Sequence, residues 1–178
     1  KYFPGGHLKY EPLAGLLVRG SWSTGIGRPP FGNIIPLNSV NETTQRVTVS
    51  NPALKPQYSN NYDLSAEYYF NPQGMASLSL FKKKIGDYIF TDSSKIIGAG
   101  ASNGFDGLYE GYGLTTSANG GFARIQGMEL NYQQQLVFLP GWSKGFGVYT
   151  NYTYMQTEGD YGGTVVRTTS ELAGFLNR

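Results

Sequence analysis

The chain has 178 residues, a formal charge of +2, one histidine and no cysteine, which excludes disulfides, Cys-ligated metal centres, multi-histidine sites and a strongly basic nucleic-acid binder. Glycine accounts for 25 residues and aromatic residues for 15% of the chain. Because glycine disfavours helices while tyrosine and phenylalanine favour strands, this composition predicts an all-β fold.

Six strands are predicted in chain order from alternating apolar and polar residues, at positions 7–11, 16–24, 61–70, 75–80, 126–134 and 146–157. The clearest is 61–70, in which Leu64, Ala66 and Tyr68 alternate with polar residues over ten positions. This period of two gives a strand one apolar and one polar face. The six strands form three hairpins.

The connections between these strands alternate in length. Those within hairpins are short (12–15, 71–74 and 136–144), whereas those between hairpins are long (roughly 25–60, 92–122 and 158 onward). Short turns at one end and long loops at the other are typical of an antiparallel transmembrane β-barrel, in which the apolar face contacts lipid. The alternative that the alternation leaves open is a soluble β-sandwich, with the apolar face as its core.

Several segments carry a family resemblance. They are WSTGIGRPPF at 22–31, NPALKP at 51–56, NYDLSAEYYF at 61–70, FKKKIGDYI at 81–89 and GMELNY at 127–132. In this order they resemble the barrel region of TonB-dependent outer-membrane receptors, and the resemblance covers nearly the whole chain.

The resemblance implies an outer-membrane protein of Gram-negative bacteria, not an enzyme, that takes up a bulky nutrient with energy from the TonB–ExbB–ExbD complex. Barrels of this type have about 22 strands around a plugged lumen. Residues 1–178 are therefore expected to be part of the barrel domain, with the plug domain, the TonB box and the last strands outside this chain. The alternatives are a passive outer-membrane porin and a soluble carbohydrate-binding β-domain.

Candidate ligand-binding residues lie in the long loops. Phe105, Tyr109 and Tyr112 stand among glycines in the segment 93–121, and aromatic faces with scattered polar groups suit sugars or other bulky ligands. Arg28, after the second strand, is a further candidate. The alternative is that the rings pack on neighbouring loops and that Arg28 pairs with a carboxylate. The nutrient is expected to be an oligosaccharide or an iron siderophore, and neither a cofactor nor a metal site is predicted.

Two further sets of residues are assigned by strand periodicity. Asp63, Glu67, Glu129 and Asn131 lie on the polar faces of their strands and are predicted to face the lumen. Lys82 and Lys84 continue the apolar face of their strand. They are expected to lie near the outer interface, where their charges meet lipopolysaccharide phosphates or remain solvated.

Overall fold

The computed structural model describes residues 2–160 and 166–168 of the chain. Seven antiparallel strands form the main sheet, in the order β1-β2-β5-β6-β9-β10-β11. Their bounds are Gly5–Leu13 (β1), Leu16–Gly27 (β2), Gln57–Phe70 (β5), Gly74–Gly86 (β6), Phe122–Gln135 (β9), Gly147–Asp160 (β10) and Val166–Thr168 (β11). The predicted all-β fold and all six predicted strands are confirmed, and most strands extend further toward the long connections than periodicity indicates. The sheet does not close into a barrel.

The two long connections, 28–56 and 87–121, are not irregular loops throughout. They contain four strands and a short helix: α1 (Phe31–Ile34), β3 (Asn38–Asn41), β4 (Arg46–Val49), β7 (Ile89–Ile96) and β8 (Gly113–Asn119). These strands form a second sheet in the order β3-β4-β8-β7, in which β4 pairs parallel to β8. One strand from each connection therefore joins the two connections into a single layer.

The side chain of Asn119 fastens this second sheet to the main sheet. Its amide nitrogen donates to the carbonyl oxygens of Asp87 (2.8 Å) and Lys55 (3.0 Å), and its amide oxygen accepts from the Lys55 N–H at 2.8 Å. Asp87 and Lys55 lie beside the ends of β6 and β5. The three hydrogen bonds therefore hold the end of the first long connection, just before β5, and the start of the second, just after β6.

The three short turns lie together at the opposite end of the main sheet. The Tyr69 N–H donates to the carbonyl of Gly15, and the Gln135 N–H donates to the carbonyl of Gln73. Gly15 has φ +81°, and a Cβ there would lie 2.5 Å from the Tyr69 carbonyl oxygen, so only glycine fits this turn without strain. The third turn includes a 3₁₀ helix at Gly141–Gly145.

The register separates the side chains of the main sheet into two faces. Val18, Ala66, Leu78, Leu130 and Tyr152 are directly opposite one another in one row across five strands; we call the side that carries them the apolar face. Arg19, Ser65, Ser79, Glu129 and Thr153 form the next row, on what we call the polar face. The predicted alternation is thus kept from strand to strand.

The apolar face has no packed core over it. Leu64 is 50% exposed and Leu130 is 42% exposed. The hydrophobic side chains that are buried within the described part of the chain are Val47, Leu54, Ile97 and Ala123, and all but Ala123 belong to the long connections. A soluble β-sandwich would bury this face against a second sheet, so the sandwich alternative does not fit. Within residues 2–160 and 166–168, no helix is long and apolar enough to cross a membrane.

Candidate functional site

The structure brings together three of the four predicted ligand-binding residues. The ring centroids of Phe105 and Tyr109 lie 5.9 Å apart at an interplanar angle of 81°, and those of Tyr109 and Tyr112 lie 5.6 Å apart at 49°. All three side chains are half-buried. We call these three residues the aromatic cluster. It lies in the connection between β7 and β8, at the end of the main sheet far from the short turns.

Asn103 organises the backbone beneath the aromatic cluster. Its side-chain oxygen accepts from the N–H groups of Phe105 (2.9 Å) and Gly107 (3.1 Å), while its nitrogen donates to the carbonyls of Gly98 (3.1 Å) and Leu108 (2.9 Å). Four hydrogen bonds from one side chain fix a segment that has no regular structure of its own. Sequence reasoning missed this role, although an Asn two residues before a turn is a known signal for an Asx turn.

Tyr109 occupies a left-handed backbone conformation, with φ 58°. This region is rare for a bulky residue and costs conformational energy unless the surroundings enforce it. Here the Tyr112 N–H donates to the Tyr109 carbonyl at 3.0 Å, and the Gly111 N–H donates to the Ile97 carbonyl at 2.9 Å. These bonds hold Tyr109 so that its ring lies between the rings of Phe105 and Tyr112.

Tyr112 links the aromatic cluster to the other long connection. Its hydroxyl donates to the Glu42 carboxylate at 2.6 Å, joining positions 70 residues apart. This hydrogen bond, followed by desolvation, raises the pKa of Tyr112 above its ordinary value of 10.0. A raised pKa in the folded state means that the bond stabilises the neutral phenol, so it holds at neutral pH and is lost as the pH rises through the raised pKa. Glu42 was not anticipated from the sequence.

Arg28 is not part of this cluster. It is exposed, directly after β2, and makes no hydrogen bond, ion pair or ring contact with another described residue. The carboxylate partner that the alternative requires is therefore not found in the described part of the chain. Its guanidinium is available to solvent or to a ligand, and a ligand-binding role for Arg28 stays a prediction.

The four residues predicted to face the lumen all lie on the polar face. Asp63 accepts from the Ser21 hydroxyl at 3.2 Å, and the Asn131 amide donates to the Ser77 hydroxyl at 3.3 Å. Glu67 forms an ion pair with Arg19 and accepts from the Tyr69 hydroxyl at 2.9 Å. Glu129 is exposed. Among residues 2–160 and 166–168, no group of three or more metal-binding side chains occurs.

The fold resembles parts of solved siderophore and hemophore receptors. The siderophore receptor PirA from Pseudomonas aeruginosa superposes with a TM-score of 0.67 at 16% identity, over 92% of this chain and 31% of that one. A mutant of the ferric enterobactin receptor PfeA from Pseudomonas aeruginosa gives 0.64 at 17% identity, over 92% and 26%. The hemophore receptor HasR of Serratia marcescens, solved with HasA and heme, gives 0.58 at 14% identity, over 88% and 29%.

At these identities the likeness shows the fold, and the chain spans 26–31% of the length of these receptors. No curated protein matches its sequence. The TonB-dependent receptor-like β-barrel family, however, matches residues 1–177. This confirms the resemblance found in the sequence, and the expectation that the chain is not an enzyme agrees with it, because the matched family is one of receptors. The chain therefore belongs to the β-barrel family of TonB-dependent receptors.

Proposed function

We propose that residues 1–178 form part of the barrel wall and two extracellular loops of an outer-membrane receptor for a bulky nutrient. The observation that carries this proposal is the uncovered apolar face of the main sheet, which ends where the two long connections begin. Lipid covers such a face in a barrel, and long loops lie on the extracellular side. The plug domain, the TonB box and the remaining strands would then lie outside this chain.

The aromatic cluster and Arg28 are the proposed nutrient contacts. Clustered aromatic rings beside the Glu42 carboxylate suit a ligand with flat faces and polar edges, a description that fits both an oligosaccharide and an aromatic iron siderophore. The solved relatives named above are receptors for siderophores and for a hemophore with heme, which supports a bulky nutrient. The polar face, with Asp63, Glu67, Glu129 and Asn131, would line the lumen.

The proposed partners follow from the same placement. The nutrient binds from outside, the apolar face contacts outer-membrane lipid and lipopolysaccharide, and the TonB–ExbB–ExbD complex supplies energy through segments outside this chain. A passive porin would share the wall architecture but would need no energy. Energy dependence therefore separates the two functions.

Uptake in the native bacterium tests this function. Deleting the receptor should abolish growth on one limiting nutrient, either a ferric siderophore as iron source or an oligosaccharide as carbon source. Deleting TonB should abolish uptake of the same radiolabelled nutrient while its binding to whole cells persists, because binding needs no energy. Uptake that continues unchanged without TonB would indicate a passive porin and would contradict the proposal.

A further inference from the structure

The two long connections are joined to each other by the parallel pairing of β4 with β8. Each of the four residues of β4 is directly opposite one residue of β8, from Arg46 with Gly113 to Val49 with Thr116. Within its own connection β4 pairs with β3, which is also four residues long. A two-stranded hairpin of this size is marginally stable in water at best. The order of the first connection therefore depends on a strand that belongs to the second.

Hydrogen bonds outside the strand pairing also cross from one connection to the other. They are the Gly113 N–H to the Gln45 carbonyl (2.9 Å), the Arg46 guanidinium to the Thr115 hydroxyl (2.9 Å), the Asn51 amide to the Ser117 carbonyl (3.0 Å) and the Tyr112 hydroxyl to Glu42 (2.6 Å). These bonds begin before the first paired residues and continue past the last. They therefore hold the two connections together over the full length of the pairing.

Val47 occupies the centre of this pairing. Its side chain is fully buried, and it lies between Val40 of β3 and Leu114 of β8. Without β8, β4 would be an edge strand, and Val47 would lose the cover that β8 gives it. Because exposing a buried valine to water is unfavourable, separation of the two connections carries a cost in free energy.

The pairing also reaches the aromatic cluster. Tyr112 directly precedes Gly113, the first residue of β8. Its carbonyl accepts from the Ile97 N–H at 2.9 Å, and the Ile97 carbonyl accepts from the Gly111 N–H at 2.9 Å. Loss of the pairing between β4 and β8 would loosen the segment that carries the Tyr112 ring. β4 supplies no ring to the aromatic cluster, so it acts on the cluster through β8.

We propose that the two long connections open and close as one cooperative body, and that β4 in the first connection positions the aromatic cluster in the second. Arg46 and Val47 are then positioning residues, because they hold the start of β8 and do not contact the nutrient. Coupling between two sites is reciprocal, so a nutrient that fixes the aromatic cluster also orders the first connection. This inference rests on the proposed function, because it concerns the same nutrient contacts.

Amide hydrogen exchange of the intact receptor, purified in detergent and followed by mass spectrometry, tests this coupling. Val47→Ala leaves a cavity beside β8. It should raise the exchange rates on the order of thirtyfold in β3 and β4, and equally in β8 and at Gly111 and Tyr112. Tyr112→Phe removes a single bond between the connections and should raise the same rates about fivefold. Exchange in β5 and β6 should not change, because these strands belong to the main sheet.

Asn103→Ala tests the coupling in the opposite direction. Asn103 makes its four hydrogen bonds within the second connection. In one cooperative body this variant should nevertheless raise exchange in β3 and β4, which Asn103 does not contact. Leu37→Ala is the control, because Leu37 lies in the first connection but is 64% exposed. It should leave the exchange rates of both connections unchanged.

Separate opening of the two connections would overturn the inference. Its signs are a Val47→Ala variant that raises exchange in β3 and β4 alone, and an Asn103→Ala variant that raises exchange between positions 98 and 112 alone. Membrane insertion and TonB-dependent uptake of the native receptor are measured in parallel. Normal insertion and uptake with separate opening would defeat this inference alone, while failure of the native receptor to insert would defeat the proposed function.

Discussion

Ala66→Arg is expected to cost the intact receptor about 2–4 kcal/mol of folding free energy in a lipid bilayer, the cost of an arginine on the lipid face near the midplane. Ala66 lies in the middle of the apolar face, in the row with Leu78 and Leu130. An arginine there has no counter-charge beside it, and its guanidinium must reach an interface to be hydrated.

Ser79→Arg is the matched control at nearly the same depth. Ser79 lies on the polar face, directly opposite Ser65 on one side and Glu129 on the other. An arginine at position 79 gains the Glu129 carboxylate on the neighbouring strand β9 as a partner. Its cost in folding free energy should therefore be well below that of Ala66→Arg. Reversible urea unfolding in lipid vesicles measures both. Equal losses for the two variants would show that the assignment of the faces to lipid and lumen is wrong.

Replacing Tyr109 and Tyr112 together with alanine should weaken nutrient binding by about 1–3 kcal/mol, on the scale of aromatic contacts in binding sites. The two rings lie 5.6 Å apart in a segment whose backbone Asn103 fixes. The stability of the barrel should hardly change, because these residues belong to a connection and not to the hydrogen-bonded wall. Titration of the intact receptor with its own nutrient gives the affinity.

Tyr112→Phe distinguishes contact between the ring and the nutrient from a purely structural role of the Tyr112 hydroxyl. It keeps the ring but removes the hydrogen bond to Glu42 that joins the two long connections. If the rings contact the nutrient, this variant should retain most of the affinity that the double alanine variant loses. Unchanged affinity in a folded, inserted double alanine variant would mean that the aromatic cluster only packs the loops and that the nutrient binds elsewhere.

The strands of the wall were predictable because a sheet with one apolar face repeats every two residues. Residues 61–70 show this over ten positions, and β5 begins four residues earlier, at Gln57. The second sheet was not predictable in this way. Asn38–Asn41 and Arg46–Val49 are too short to show a period. Moreover, the pairing of Arg46 with Gly113 joins distant segments in parallel, which no local pattern indicates.

The candidate site was predictable in composition but not in geometry. Tyrosine and phenylalanine among glycines marked the segment that holds the aromatic cluster. The link from Tyr112 to Glu42 depends on how two separate connections meet, and the left-handed conformation of Tyr109 depends on bonds around it. The start of β9 was missed for a simpler reason, since alternation is visible only from Gln126 whereas β9 begins at Phe122.

Labelling of single cysteines on whole cells tests the central claim, that the long connections face outward from the outer membrane and the short turns face the periplasm. Suitable positions are Thr43 and Ser102 in the long connections and Lys144 in the third short turn, all exposed. Gly104 is avoided because its φ of +86° strains any replacement. A membrane-impermeant maleimide should label Thr43→Cys and Ser102→Cys on intact cells, and Lys144→Cys only after the outer membrane is opened. Labelling of Lys144→Cys alone on intact cells would contradict this orientation, and labelling of all three in a soluble fraction would contradict the membrane placement itself.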